Sequence, residues 1–229
     1  MQTSNGVKIT IIYDNTVFRK DLQADWGFSA LVEQENTPKI LFDTGADGKI
    51  LLDNMEKLEI DPEKIGFVFI SHLHGDHTGG LPGILKIKPD LKVYKSESFS
   101  DSARIMDGAW TTGPLGDSVK EQSLIVSSGQ GLIIITGCAH PGIVNIVKKA
   151  KEMFPGQTVH LVLGGFHLFR ASDSELKKII NDFKELGVQK IAPSHCSGDR
   201  CRELFKKEYG DNFIENGVGK LLKFKILNK

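Results

Sequence analysis

Three of the chain's seven histidines and an aspartate fall within six positions, in the stretch SHLHGDHTGG at 71–80. Crowding imidazoles beside a carboxylate has no use in an apolar core, but it makes sense if the groups converge on a cation. His72 and His74 are two apart after an apolar run, and in extended chain that spacing points both side chains the same way. Gly75 allows a sharp turn, Asp76 and His77 then fall where a helix begins, and Thr78-Gly79-Gly80 supplies tight backbone. One metal would take His72 and His74, a second Asp76 and His77. Nitrogen and carboxylate donors of this kind suit zinc, with iron or manganese as the other candidates. Each pair still lacks a partner, and the chain offers two at strand ends. His140 closes Thr136-Gly137-Cys138-Ala139-His140 after the apolar run Ile133-Ile134-Ile135, and His195 lies in Pro193-Ser194-His195-Cys196 after Lys190-Ile191-Ala192. The expected sites are therefore His72, His74 and His140 for one ion, and Asp76, His77 and His195 for the other. His160, inside an apolar run, reads as structural.

These residues need rigid elements beneath them. Short apolar or alternating runs predict strands at 7–13, 28–33, 39–42, 67–70, 91–94, 123–126, 131–135, 158–163, 189–193 and 219–226. Helical spacing predicts helices at 49–58, 81–87, 143–153 and 198–207, and one that opens on a Ser172-Asp173-Ser174-Glu175 cap and stops at Gly187. Pro141 is expected in the first turn of the 143–153 helix. The stretch 96–121 shows little pattern and reads as a mobile active-site loop. In it Trp110 is an exposed-looking aromatic able to stack on a flat ring. With no internal linker or repeat, a single α/β domain over 1–229 is expected, with two sheets that each need helical cover.

Lys+Arg and Asp+Glu balance at 29 each. That neutrality gives no general pull toward nucleic acid or anionic membrane, so neither is expected as a partner. The first residues lack the charged start and long apolar run of a signal peptide or anchor, and no stretch approaches a membrane-spanning helix. Cys138, Cys196 and Cys201 are too few for a disulfide framework, so a cytoplasmic setting is expected. Oligomeric state is not legible.

SHLHGDHTGG resembles the H-x-H-x-D-H signature of the metallo-β-lactamase-fold metal-dependent hydrolases, in spacing, preceding strand and following Gly-Gly. Phe42-Asp43-Thr44-Gly45 resembles that superfamily's upstream aspartate motif, which implies that the Asp43 carboxylate props the metal loop. TGCAH and PSHC stand where later motifs belong. The resemblance covers essentially the whole chain and implies an αββα sandwich of two mixed sheets, with two metal ions at one edge. GFSALVE, LFDTG, SHLHGDHTGGL, TTGP, TGCAHPGI, GGFHL and PSHCSG further resemble the dihydropterin-methyl-ribofuranosylaminobenzene-phosphate synthase-like branch.

One departure matters. The superfamily usually places a metal-bridging aspartate after a strand, whereas here the strand runs into Gly164-Gly165-Phe166-His167-Leu168. His167 would bind one metal or face the substrate. Without that carboxylate the site is more cationic and should favour an anionic, phosphate-bearing substrate, a pterin among them. Two close metals would activate a water and polarise a phosphoryl oxygen. The expected activity is that of a metal-dependent hydrolase or transferase. Asp76 and His167 are the candidate catalytic residues, and Trp110, His167 and Cys196 the candidate substrate contacts. The rivals are a phosphodiesterase, a di-iron oxidoreductase (disfavoured because that group usually has glutamate where His74 sits) and a non-catalytic metal-binding or sensor protein.

Overall fold

The computed structural model describes residues 6–225; the expectations for 1–5 and for Ile226 at the end of the last strand lie outside them. The chain forms two compact units. One runs to Ser98 and resumes at Asn216; the other spans Phe99–Glu215. Each carries its own six-stranded sheet, a division that the lack of a polar linker does not reveal in the sequence. Among the described residues no helix is long and apolar enough to cross a membrane.

The first unit contains β1 (Gly6–Tyr13), β2 (Ser29–Gln34), β3 (Lys39–Phe42), α1 (Gly48–Lys57), β4 (Ile65–Phe69), the single turn α2 (Gly75–Thr78), α3 (Leu81–Ile87) and β5 (Lys92–Tyr94). The chain's last strand, β12 (Leu221–Lys225), completes its sheet in the order β12-β1-β2-β3-β4-β5. Asp47 caps α1 by accepting from the amides of Lys49 and Ile50, which settles orphan donors that every helix start leaves. Leu51, Met55 and Ile84 from the two longer helices pack on Ile12, Leu31, Leu41 and Val68 of the sheet. Each such buried side chain contributes about 1.5–3 kcal/mol. Strands β3, β4 and β5 are parallel, with Phe42 opposite Phe69. The loops leaving β3 and β4 therefore start side by side.

The second unit contains β6 (Ala103–Met106), β7 (Ala109–Thr111), β8 (Leu124–Ser128), β9 (Gly131–Thr136), α4 (Ile143–Met153), β10 (Val159–Gly165), α5 (Asp173–Glu185), β11 (Lys190–Ser194) and α6 (Asp199–Tyr209), with sheet order β11-β10-β9-β8-β7-β6. The predicted capping box is present: Ser172 accepts from the Glu175 amide, and the Glu175 carboxylate accepts from the Ser172 amide. Pro141 does not enter α4, because Gly142 at φ 91° caps that helix and Ile143 opens it. Ile146, Val147, Ile180, Phe183 and Phe205 from the three helices pack on Ile134, Val162 and Ile191. Strands β9, β10 and β11 are parallel, with Thr136 opposite Gly164 and Gly164 opposite Pro193. Three loops thus leave one edge of this sheet together, and they carry His140, His167 and His195.

The stretch 96–121 is more regular than expected. It holds a 3-10 turn at Ser96–Ser98 and the β6–β7 hairpin, closed by Asp107-Gly108 with Gly108 at φ 74°. Trp110 lies in β7 opposite Ile125, half-buried, with its ring edge-on to Phe154 at 4.9 Å. It belongs to the packing of its unit and is not the isolated, exposed aromatic expected.

Candidate functional site

In the first unit the predicted residues gather at the ends of β3 and β4. The Asp43 amide donates to the Phe69 carbonyl at 2.9 Å, continuing the parallel ladder one step. That places the Asp43 carboxylate under the histidine loop. Its Oδ1 accepts from the Ser71 amide at 2.7 Å, and its Oδ2 accepts from Ser71 Oγ and from His77 Nδ1, both at 2.7 Å. Asp43, Ser71, His72 and His77 are completely buried. Burial pushes the Asp43 carboxyl upward, opposed by His77 and the Ser71 donors. A carboxylate on Nδ1 fixes the His77 tautomer and leaves Nε2 as the lone-pair face. Nε2 in turn lies 3.6 Å from Asp76 Oδ2. His72 Nε2 is 3.1 Å from His74 Nδ1, so the two imidazoles do share a face, and the His72 and His77 rings are 4.2 Å apart.

The glycines of this loop divide by contact. A Cβ at Gly79 would sit 1.9 Å from the Ala46 carbonyl oxygen, and one at Gly80 2.2 Å from that of Thr44; a Cβ at Gly75 would meet nothing within 4 Å. The close approach that the loop needs is made by Gly79 and Gly80.

In the second unit Glu121 is fully buried. Its Oε1 accepts from the amides of Cys138 and Ala139, at 2.9 and 2.8 Å, and its Oε2 accepts from the His140 amide at 2.9 Å and His140 Nδ1 at 2.8 Å. It does for His140 what Asp43 does for His77. The His140 and His167 rings are 4.6 Å apart. His195 is buried in the 3-10 turn that follows β11. Cys196 beside it puts Sγ 3.2 Å from Cys138 Sγ. Burial opposes a Cys196 thiolate, but hydrogen bonds from Cys138 and His167 outweigh it and hold the thiol down to about 5. The Cys196 hydrogen bond raises His167 correspondingly. Gly164 and Gly165 make room here. A Cβ at Gly165 would lie 2.2 Å from the Gly137 carbonyl oxygen and 2.7 Å from Cys196 Sγ.

Of the six non-glycine residues with positive φ among the described residues, Asp43, Ala139, His167 and His195 lie in these loops. Such backbone costs about 1–3 kcal/mol at each position, and it gathers where geometry serves function. His140 and His167 also border a cavity of about 380 Å³ walled by residues of α4 and α5, with Lys148 and Lys178 on its lining.

Two further residues were not anticipated. Glu121 sits in an irregular stretch with no spacing signal, and its partners are mainly backbone amides 17 to 19 residues on. Trp26 is half exposed and its indole N–H donates to Asp76 Oδ2 at 3.0 Å; nothing in its neighbourhood in the sequence marks it.

Residues 27–195 match the model of the Metallo-beta-lactamase superfamily. A relative from Methanocaldococcus jannaschii, 7,8-dihydropterin-6-methyl-4-(beta-D-ribofuranosyl)-aminobenzene-5'-phosphate synthase, is 30% identical over 96% of this chain and 97% of its own. The solved structure of Tm1679, described as a metal-dependent hydrolase of the beta-lactamase superfamily, superposes with a TM-score of 0.83 at 28% identity, over 96% of this chain and 99% of that one. YhfI from Bacillus subtilis, at 14% identity and a TM-score of 0.70 over 96% of this chain and 99% of its own, shares the fold. The superfamily match spans the loops that carry Asp43, His72, His77, Glu121, His140 and His167, and with it the chain belongs to the metallo-beta-lactamase superfamily.

Proposed function

We propose that this protein is a metal-dependent hydrolase or transferase with two zinc ions, acting on a small phosphate-bearing substrate of the pterin class. The ligands of the proposed ions are His72, His74 and His140, and Asp76, His77 and His195. The observation that carries this reading is the pair of imidazoles held at Nδ1 by a buried carboxylate, His77 by Asp43 and His140 by Glu121. Imidazoles fixed in this way present Nε2 as a preformed donor, which is how metal-binding histidines are held. The M. jannaschii relative's name, a synthase of a pterin-linked phosphate, supports the substrate class.

When bound, the ions would lower the pKa of a water toward neutrality and draw charge from a phosphoryl oxygen. The protein's own groups do the rest. Asp43 and Glu121 keep the two imidazoles in the donor tautomer. The Trp26 indole N–H donates to Asp76 Oδ2 and so orients that carboxylate beside His77, and its ring, more exposed than the packed Trp110, suits a flat ring better. His167, with its pKa raised, donates to a phosphate oxygen, and Lys148 adds positive charge on the cavity that His167 borders.

The test is turnover of pterin phosphate and diphosphate esters by the zinc-loaded protein, followed as released phosphate and as product mass. Hydrolysis or transfer is expected, falling by at least 10²-fold in His77→Ala. A loaded protein that binds these esters and never turns them over would instead be a ligand-binding protein.

A further inference from the structure

The six proposed ligands leave unused the thiols of Cys138 and Cys196. Both side chains are buried, at 4% and 1% exposure. Their sulfurs lie 3.2 Å apart, and the cysteines are not joined as a disulfide. A nitrogen of His167 belongs to the same cluster, with the three donor atoms all within 4.8 Å of one another. The three residues come from the three loops that leave parallel β9, β10 and β11 at one edge. Their convergence is therefore set by the sheet itself. Gly165 keeps the space open, since any Cβ there would meet Cys196 Sγ.

From this geometry we propose that Cys138, Cys196 and His167 hold one soft metal ion, with two thiolates and one imidazole as ligands. Cys138 Sγ also lies within 4.8 Å of a donor nitrogen of His140 and of one of His195, so this ion adjoins the histidine sites. Two zinc–sulfur bonds of about 2.3 Å at a tetrahedral angle hold the sulfurs about 3.8 Å apart, so the pair must open by roughly 0.6 Å. A disulfide, at about 2.05 Å, would require the sulfurs to close by more than 1 Å. Metal uptake is the smaller displacement, and His167 supplies a third donor that a disulfide would not use. Thiolate and imidazole donors select zinc, cadmium and copper(I) over magnesium or calcium. Uptake releases both thiol protons, with no change of oxidation state at sulfur. His167 is exposed, which leaves the fourth position open to solvent or to a small anion. Because the proposed phosphate contact also uses His167, an ion held here and a phosphate compete for one imidazole.

Titrating the chelator-treated, fully reduced full-length protein with Co²⁺ or Cd²⁺ tests this, by following the thiolate-to-metal charge-transfer absorption. We expect a band whose final amplitude corresponds to one thiolate-bound ion in the wild type and which persists in the His72→Ala/His77→Ala variant, which disables the histidine sites and any thiolate signal that depends on them. It should persist in Cys201→Ala, vanish in Cys138→Ser/Cys196→Ser, and need at least tenfold more metal in His167→Ala. Loss of the band in His72→Ala/His77→Ala would assign the thiols to the histidine sites and overturn the proposal. So would its absence in the folded wild type, its retention in the double serine variant, or an unchanged affinity in His167→Ala. The zinc content and turnover of the histidine sites are read separately, so either reading can fail without the other.

Discussion

At Glu121 a single buried carboxylate accepts three consecutive backbone amides and the Nδ1–H of His140. Glu121→Gln keeps the shape but replaces one acceptor oxygen with an NH₂ group facing donors. Each buried group left unsatisfied costs about 1–3 kcal/mol, so a loss of roughly 2–4 kcal/mol is expected in denaturant unfolding. Metal affinity should also fall, by about 10–100-fold, since the substitution disturbs the group that orients a ligand. Unchanged metal affinity in a folded variant would show that Glu121 only ties its loop. His167→Asp is the complementary case: it places a negative charge on the cavity between α4 and α5. Phosphate affinity measured by calorimetry should drop at least tenfold, about 1.4 kcal/mol; an equal or tighter affinity would remove His167 from anion binding.

At the level of elements, the loop after β4 depends on two glycines and tolerates change at a third. Gly79→Ala drives a Cβ into the Ala46 carbonyl and should cost about 3 kcal/mol or more. Gly75→Ala, which meets nothing, should stay within about 1 kcal/mol of the wild type. Thermal unfolding separates the two, and similar losses would contradict the steric account. Much of this architecture was legible in the sequence. The bounds of β3, α3 and α4 match their predicted ranges, because each is a strongly apolar or periodic run between clear breaks. The histidine loop was legible because its donors are local. The β6–β7 hairpin was missed because its strands are only 4 and 3 residues long, although Asp107-Gly108 between them is a hairpin turn signal. Glu121 and Trp26 were missed because their partners lie 17 to 50 residues away, beyond any local pattern. The same holds for the way the sheet edge unites Cys138, His167 and Cys196.

Across the whole molecule, stability should carry an alkaline limb to which Cys201 contributes from pH 9 upward, with the buried Tyr13 and Tyr209 hydroxyls, whose pKa values burial also raises, adding to it above pH 10. Burial pushes the Cys201 thiol up to about 12, with the nearby Cys196 adding to the shift. The raised folded-state pKa means that its contribution is fully present below pH 9, the ordinary thiol value. Above that the unfolded chain releases the proton while the folded chain keeps it. The Cys201 contribution then falls by up to about 1.4 kcal/mol per pH unit until pH 12. Cys201→Ala removes a fully buried side chain and should cost about 1 kcal/mol at neutral pH. Its deficit relative to the wild type should shrink between pH 9 and 11 in urea titrations, whereas a constant deficit would deny the shift.

Metal occupancy tests the account at its centre. Elemental analysis of the purified protein, alongside the His74→Ala and His77→Ala variants, asks directly whether the two sets of histidines hold ions. The account predicts two equivalents of a transition metal, zinc foremost, at the histidine sites of the wild type, counted in the Cys138→Ser/Cys196→Ser background to exclude the thiol site. Each variant should lose about one of the two. A wild type purified and reconstituted with zinc that holds no stoichiometric transition metal, or variants that keep the full complement, would contradict it.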